Sequence, residues 1–190
     1  GGTYCIMGAN ASGKSVLLRL LAKLEEPLEG EVKHALNLDV GYYDQHVVDV
    51  MTRQNGTGTA LSFLTERFPQ RTLQDIRSEL SAFGLGKTQV QTSLSFLSGG
   101  ERSRLWLAAL MLGDPQVLML DNPTSNLDVE SVEALIYGLG KWNGTVVLVS
   151  HDANFIRALE AQCCVLSPRE GKLLRVEGGI DSYLKAFMRT

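Results

Sequence analysis

Residues 8–15 read Gly8-Ala9-Asn10-Ala11-Ser12-Gly13-Lys14-Ser15, directly behind the apolar run Tyr4-Cys5-Ile6-Met7. The order is strand, glycine-bounded loop, helix, at the spacing G-x-x-x-x-G-K-S. Gly8 and Gly13 open backbone angles that a Cβ disfavours. Successive N–H groups then point inward and cradle phosphate oxygens. A helix opening near Ser15 adds the positive end of its dipole. Lys14 is spaced to reach the β- and γ-phosphates, and the Ser15 hydroxyl to take a coordination place on Mg²⁺. The stretch implies a nucleoside triphosphate ligand. Ala11 occupies a place that the pattern leaves free.

Outward from this loop the chain alternates. Leucines at helical spacing over 17–24 predict the helix behind it. Short strands are expected at 30–32 and 39–43, and a loop at 51–60. Helices follow at 60–68, stopped by Pro69, and at 73–83, stopped by Gly84. A further helix is expected over 99–112, ended by Gly113-Asp114-Pro115. Val117 to Leu120 and Val146 to Val149 are continuous apolar runs, as in strands buried on both faces, with a helix over 129–141 between them. A late hairpin at 165–166 and 173–176 and a closing helix at 183–188 complete the pattern. This predicts an α/β fold, a mainly parallel sheet flanked by helices. The core would be 1–45 and 114–190, and a helical lobe would be inserted at 46–113. Because a core strand follows Gly1-Gly2 almost at once, further strands are expected upstream.

Composition narrows the function classes. The chain has 190 residues, 44% of them hydrophobic, and a net charge of −3. That suffices for one well-filled core and gives no global basic field for nucleic acid. No apolar run approaches the ~20 residues of a membrane span. Cys5, Cys163 and Cys164 lack metal-ligand spacing and lie in apolar runs, which implies buried thiols in a reducing, cytoplasmic setting. His34 and His46 have no chemical context and read as surface residues.

Two further stretches carry chemistry. Val117-Leu118-Met119-Leu120-Asp121 is an apolar strand ending in a carboxylate, expected beside the first strand with Asp121 at the Mg²⁺. Leu97-Ser98-Gly99-Gly100-Glu101 opens the helix over 99–112. Two glycines at a helix N-terminus with a serine hydroxyl make a second anion site.

The segment Leu97 to Glu101 resembles the signature of ATP-binding-cassette (ABC) ATPases. The resemblance extends along nearly the whole chain and implies a phosphate-loop (P-loop) NTPase fold whose helical lobe carries that signature. It implies ATP and Mg²⁺ as ligands, the nucleotide being held by Gly8 to Ser15. Two such domains would stack head to tail, the signature of one covering the γ-phosphate held by the other. Gln45, in Gly41-Tyr42-Tyr43-Asp44-Gln45-His46, matches the glutamine that contacts Mg²⁺ and the attacking water. Ser125-Asn126-Leu127-Asp128 matches the D-loop of the dimer interface, and His151 the switch histidine. The signature starts about 80 residues after the phosphate loop, which excludes the branch with long inserted coiled coils. The aromatic glutamine loop, the segment from Phe68 to Gly84 and the tail Val176 to Tyr183 resemble the ABC-F branch, soluble proteins with two nucleotide domains that act on ribosomes. The likeness is nearest to the second domain of eukaryotic members linked to translational control. Ribosome or RNA contacts would then lie outside this segment. The rivals are the nucleotide domain of a membrane transporter and a non-catalytic ATP-binding interaction module.

The sequence departs from the family in three places. Asn122 follows Asp121 where active members carry a glutamate that polarises water. An amide is no base, and loss of a general base costs ~10²–10⁴-fold in rate. Slow or absent hydrolysis at this site is expected, with ATP binding kept. Ser125-Asn126 stands where the F branch usually has Asn-His. The aromatic that stacks on adenine would precede Gly1.

Overall fold

The computed structural model describes residues 1–44, 58–167 and 171–187. Six strands form one sheet, in the order β2-β3-β4-β1-β5-β6. They are β1 (Thr3–Met7), β2 (Val40–Tyr43), β3 (Val117–Asp121), β4 (Thr145–Val149), β5 (Gln162–Ser167) and β6 (Lys172–Arg175). The first five are parallel, and β6 pairs antiparallel with β5. The expected α/β architecture is therefore present.

Period-two alternation sends side chains to two cores. Ile6, Tyr42, Met119 and Val149 meet Leu18 of α1 (Lys14–Leu21) on one face. Cys5, Met7, Tyr43, Leu118, Leu120 and Leu148 join the larger cluster on the other. That cluster continues without a break into the helices between β2 and β3. These are α2 (Ala60–Arg67), α3 (Leu73–Ala82), the short α4 (Lys87–Gln91) and α5 (Gly99–Gly113). The remaining helices are α6 (Val129–Lys141), α7 (Ala153–Ala158) and α8 (Gly179–Phe187).

Helix starts follow from local chemistry. Thr59, Thr72 and Ser98 each accept a hydrogen bond from the backbone three residues on, and that residue's side chain returns to the cap's N–H. Asp128 and Asp152 cap α6 and α7 in the same manner, without the return bond.

Four expectations change. Residues 30–32 are irregular, because no described strand runs beside them and an unpaired strand leaves its backbone groups without a ladder. The helix expected to reach residue 24 stops at Leu21, since Lys23 turns into the left-handed region at φ 56°. β3 does not lie beside β1: β4, apolar enough to be covered on both faces, sits between them. His34 is half-buried, its Nε2 lying 2.7 Å from the Leu21 carbonyl oxygen at the end of α1. α4 and α7 were invisible to periodicity, being five and six residues long. Gln45, His46 and most of the loop expected at 51–60 lie outside the described residues.

Candidate functional site

β1, an interior strand, carries the chain into the loop at the carboxyl end of the parallel strands. Gly8 has φ 150°, and a Cβ there would meet Ser12 Oγ at 3.0 Å and the Leu166 carbonyl oxygen at 3.1 Å. Gly13 caps α1 from the left-handed region, φ 91°, with no side chain satisfying the helix's first N–H groups. Ala11 is also left-handed, φ 59°, so a Cβ is tolerated at that place. Lys14 is buried, and its ammonium donates to the carbonyls of Gly8 (3.0 Å) and Ala9 (2.7 Å). Burial pulls its pKa down, and the Asp121 carboxylate opposes that shift. The loop borders a cavity of about 420 Å³ whose lining also includes Ser15, Asn122, Val149 and His151. The Ser12 hydroxyl is buried there without a partner.

The end of β3 supplies the acidic side. Asp121 is 8% exposed. Asn122 adopts φ 47°, a conformation that asparagine tolerates better than most residues. Its N–H donates to the Val149 carbonyl of β4 (2.8 Å), and its carbonyl accepts from Ser125 N–H (3.2 Å) and Oγ (3.0 Å). Its side-chain amide donates to Asp121 Oδ1 at 3.1 Å. Sequence had no way to single out Val149 as the anchor of this turn, because its signal is that of any apolar strand residue. His151 is exposed at the cavity mouth, and the adjacent Ser150 is buried, its Oγ accepting from Asp152 N–H at 3.1 Å.

The donor set fits Mg²⁺. Ser15 borders the cavity, the buried Asp121 carboxylate stands behind Asn122 and acts on the Lys14 ammonium, and among the described residues no group of three His, Cys, Asp or Glu forms a self-sufficient metal cage. Such a set suits a hard cation that takes most of its ligands from phosphate and water.

The serine-glycine turn, expected as a second anion site, is elsewhere. Ser98 Oγ accepts from Glu101 N–H (3.2 Å), and the Glu101 carboxylate accepts from Ser98 N–H (2.8 Å). That backbone bond holds the Glu101 carboxyl below the usual range. Leu97 is buried, anchoring the turn. Space beside Gly99 is open, whereas a Cβ on Gly100 would come within 2.8 Å of the Asn126 carbonyl oxygen. Residues 97–101 and 125–128 thus form one unit. Arg104, which sequence reasoning missed, reinforces it: Nη1 donates to Ser131 Oγ (3.2 Å) and lies 3.6 Å from Asp128 Oδ2. None of Leu97 to Glu101 lines the cavity at Lys14. The structure therefore gathers the phosphate loop, Asp121, Asn122 and His151 in one place, and the serine-glycine turn with residues 125–128 in another.

Comparison with known proteins assigns this arrangement. The family model described as ABC transporter matches residues 1–125, so the chain belongs to the ABC family of ATPases. Its curated relatives include members of the F branch. ATP-binding cassette sub-family F member 3 of Rattus norvegicus is 37% identical over 180 residues, 94% of this chain and 24% of the relative. The chain thus spans about a quarter of that protein's length. A dimeric bacterial ABC transporter cassette superposes with TM-score 0.71 at 25% identity, over 90% of this chain and 83% of that one. An archaeal ribosome recycling factor, solved in complex with a ribosomal stalk protein, superposes with TM-score 0.74 at 25% identity, over 96% of this chain and 36% of that one.

Proposed function

We propose that this cassette binds ATP·Mg²⁺ and closes head to tail on a second nucleotide-binding domain, in a longer ABC-F protein of which it forms the second such domain. One observation carries the proposal. The serine-glycine turn at Leu97–Glu101 does not border the cavity of its own phosphate loop. A second cassette brings the missing turn, and the dimeric bacterial cassette supports that pairing. Residues 46–113 then act as a helical lobe that swings the signature, with Ser125 to Asp128 moving alongside it.

The roles of the chain's own residues combine this geometry with the family's motifs. The backbone N–H groups of 9–15 and Lys14 hold the triphosphate. Ser15 and Asp121 would hold Mg²⁺, with Gln45 added by the family motif, and the ion would supply neutralising charge to the phosphates. His151 faces the γ-phosphate position from the rim. Asn122 spends its amide on Asp121 and holds that carboxylate in place. Hydrolysis at this site is slow because no base stands there, so the site works as a latch whose closed state depends on occupancy. A ribosome-associated role in translation is supported by the recycling factor of similar fold. Among the described residues no helix is long and apolar enough to cross a membrane.

Turnover by full-length Asn122→Glu, measured beside ATP affinity, tests the latch. We expect a rise of ~10²-fold or more, even though glutamate at φ 47° costs roughly 1–2 kcal/mol. An unchanged rate with ATP still bound overturns the assignment to Asn122. Distance measurements between labels on the two nucleotide domains test closure, and a separation indifferent to ATP sinks it.

A further inference from the structure

A groove of about 820 Å³ lies between the end of α3 and the length of α6, away from the phosphate cavity and sharing no residue with it. Its walls are apolar and aromatic: Phe83, Tyr137 and Trp142, with Ala82 and Ala134 between them. Its rim is acidic. Glu79, Glu130 and Glu133 border it, against one lining cation among the described residues, Lys141, whose ammonium lies 4.2 Å from the centre of the Tyr137 ring. Tyr137 is nonetheless 64% exposed, a large aromatic surface beside carboxylates. Burial pushes the Glu79 carboxyl up and Arg71 only opposes that shift, so an added cation beside it is favoured. At Gly138 a Cβ would meet nothing within 4 Å, which leaves the floor open along one turn of α6.

We propose that this groove is a docking site for a basic amphipathic helix of a partner protein. Apolar side chains at i, i+3 and i+4 would lie on Ala82, Ala134 and the aromatic walls. Lysines and arginines on the flanks would meet Glu79, Glu130 and Glu133, where charge complementarity sets both the approach and the register. The groove runs along α6, whose 13 residues span about 20 Å, so the partner helix needs three to four turns. An acidic rim repels nucleic acid, which separates this surface from an RNA contact. Glu130 sits in the first turn of α6, next to the cap Asp128, so the docked helix would touch the same turn that holds residues 125–128 in place.

The test uses the full-length protein, titrated calorimetrically with an amidated leucine-lysine amphipathic peptide of about 14 residues. Its leucine-glutamate counterpart and single-stranded polyuridylate are run beside it. The wild type should bind the basic peptide alone. The double variant Glu130→Lys/Glu133→Lys should weaken it at least about tenfold, with ATP affinity unchanged as the measure of folding. Gly138→Leu, which fills the floor while favouring the helix, should weaken it comparably. No binding of the basic peptide, equal binding of the acidic one, or affinities within twofold in both variants would overturn the proposal. So would polyuridylate displacing the peptide, or self-association that the double variant abolishes, since the occupant would then be RNA or a second copy.

Discussion

The glycine-built N-termini of α1 and α5 are finished in opposite ways. α1 starts at Gly13 with no side chain closing its first turn. Its N–H groups stay available, and only Lys14 folds back on the loop through the Gly8 and Ala9 carbonyls. α5 starts at Ser98 with a complete reciprocal cap from Glu101. The first end is left to be completed by an anion; the second is already satisfied and holds its shape. The contrast fits the proposed division of labour, one end open to a triphosphate and the other a preformed lid for a nucleotide held elsewhere. It also explains the packing. Gly8 is crowded by its own loop and by Leu166, while Gly100 is crowded by the D-loop carbonyl of Asn126.

The most damaging test of this contrast is Lys14→Ala. Losing charge-assisted bonds to phosphate should lower ATP affinity about 100-fold, read by calorimetry. Affinity within a few-fold of wild type would mean that α1 is no anion site. Gly100→Ala comes next. Its Cβ has to push the Asn126 backbone aside, an overpacking cost of roughly 1–3 kcal/mol. ATP-driven closure should fall while affinity at the phosphate loop stays within about twofold. If both fall together, the two ends are not independent. Ser98→Ala removes the cap and about 1 kcal/mol of stability, a melting shift of ~2–4 °C for a domain of this size. An equal shift in Gly13→Ala would be uninformative, because that residue's φ of 91° is strained for any side chain.

The smallest effect is electrostatic. Glu101 has its folded pKa depressed, foremost by the Ser98 N–H. Its contribution is fully present above the ordinary carboxylate range and is lost as pH falls through the lowered folded value. Melting temperature measured from pH 6 down to 3 should therefore decline less steeply in Glu101→Gln than in the wild type. Parallel curves would show that the carboxylate does not matter to the cap.

Much of this was legible in the chain. Gly8 to Ser15, the run ending in Asp121 and Ser98 to Glu101 were readable because each is a local device whose geometry follows from a handful of neighbouring residues. The helix over 129–141 and the late hairpin were readable for the same reason, one from its period and the other from its two apolar runs. The helices α4 and α7 were not, since a single turn leaves too few residues to define a period. The strand expected at 30–32 failed because strand formation depends on a neighbour that local pattern cannot supply.

By itself the sequence determined a glycine-bounded loop suited to phosphate and a carboxylate at the end of a buried strand, since each is set by side-chain chemistry and short-range backbone freedom. Only the tertiary structure decided that β4 separates β1 from β3 and fixes Asn122 through Val149. It alone separated the serine-glycine turn from the cavity at Lys14 and opened the acidic groove between α3 and α6. Those facts come from strand order and helix packing, where the contacts that decide the outcome join residues far apart in the chain.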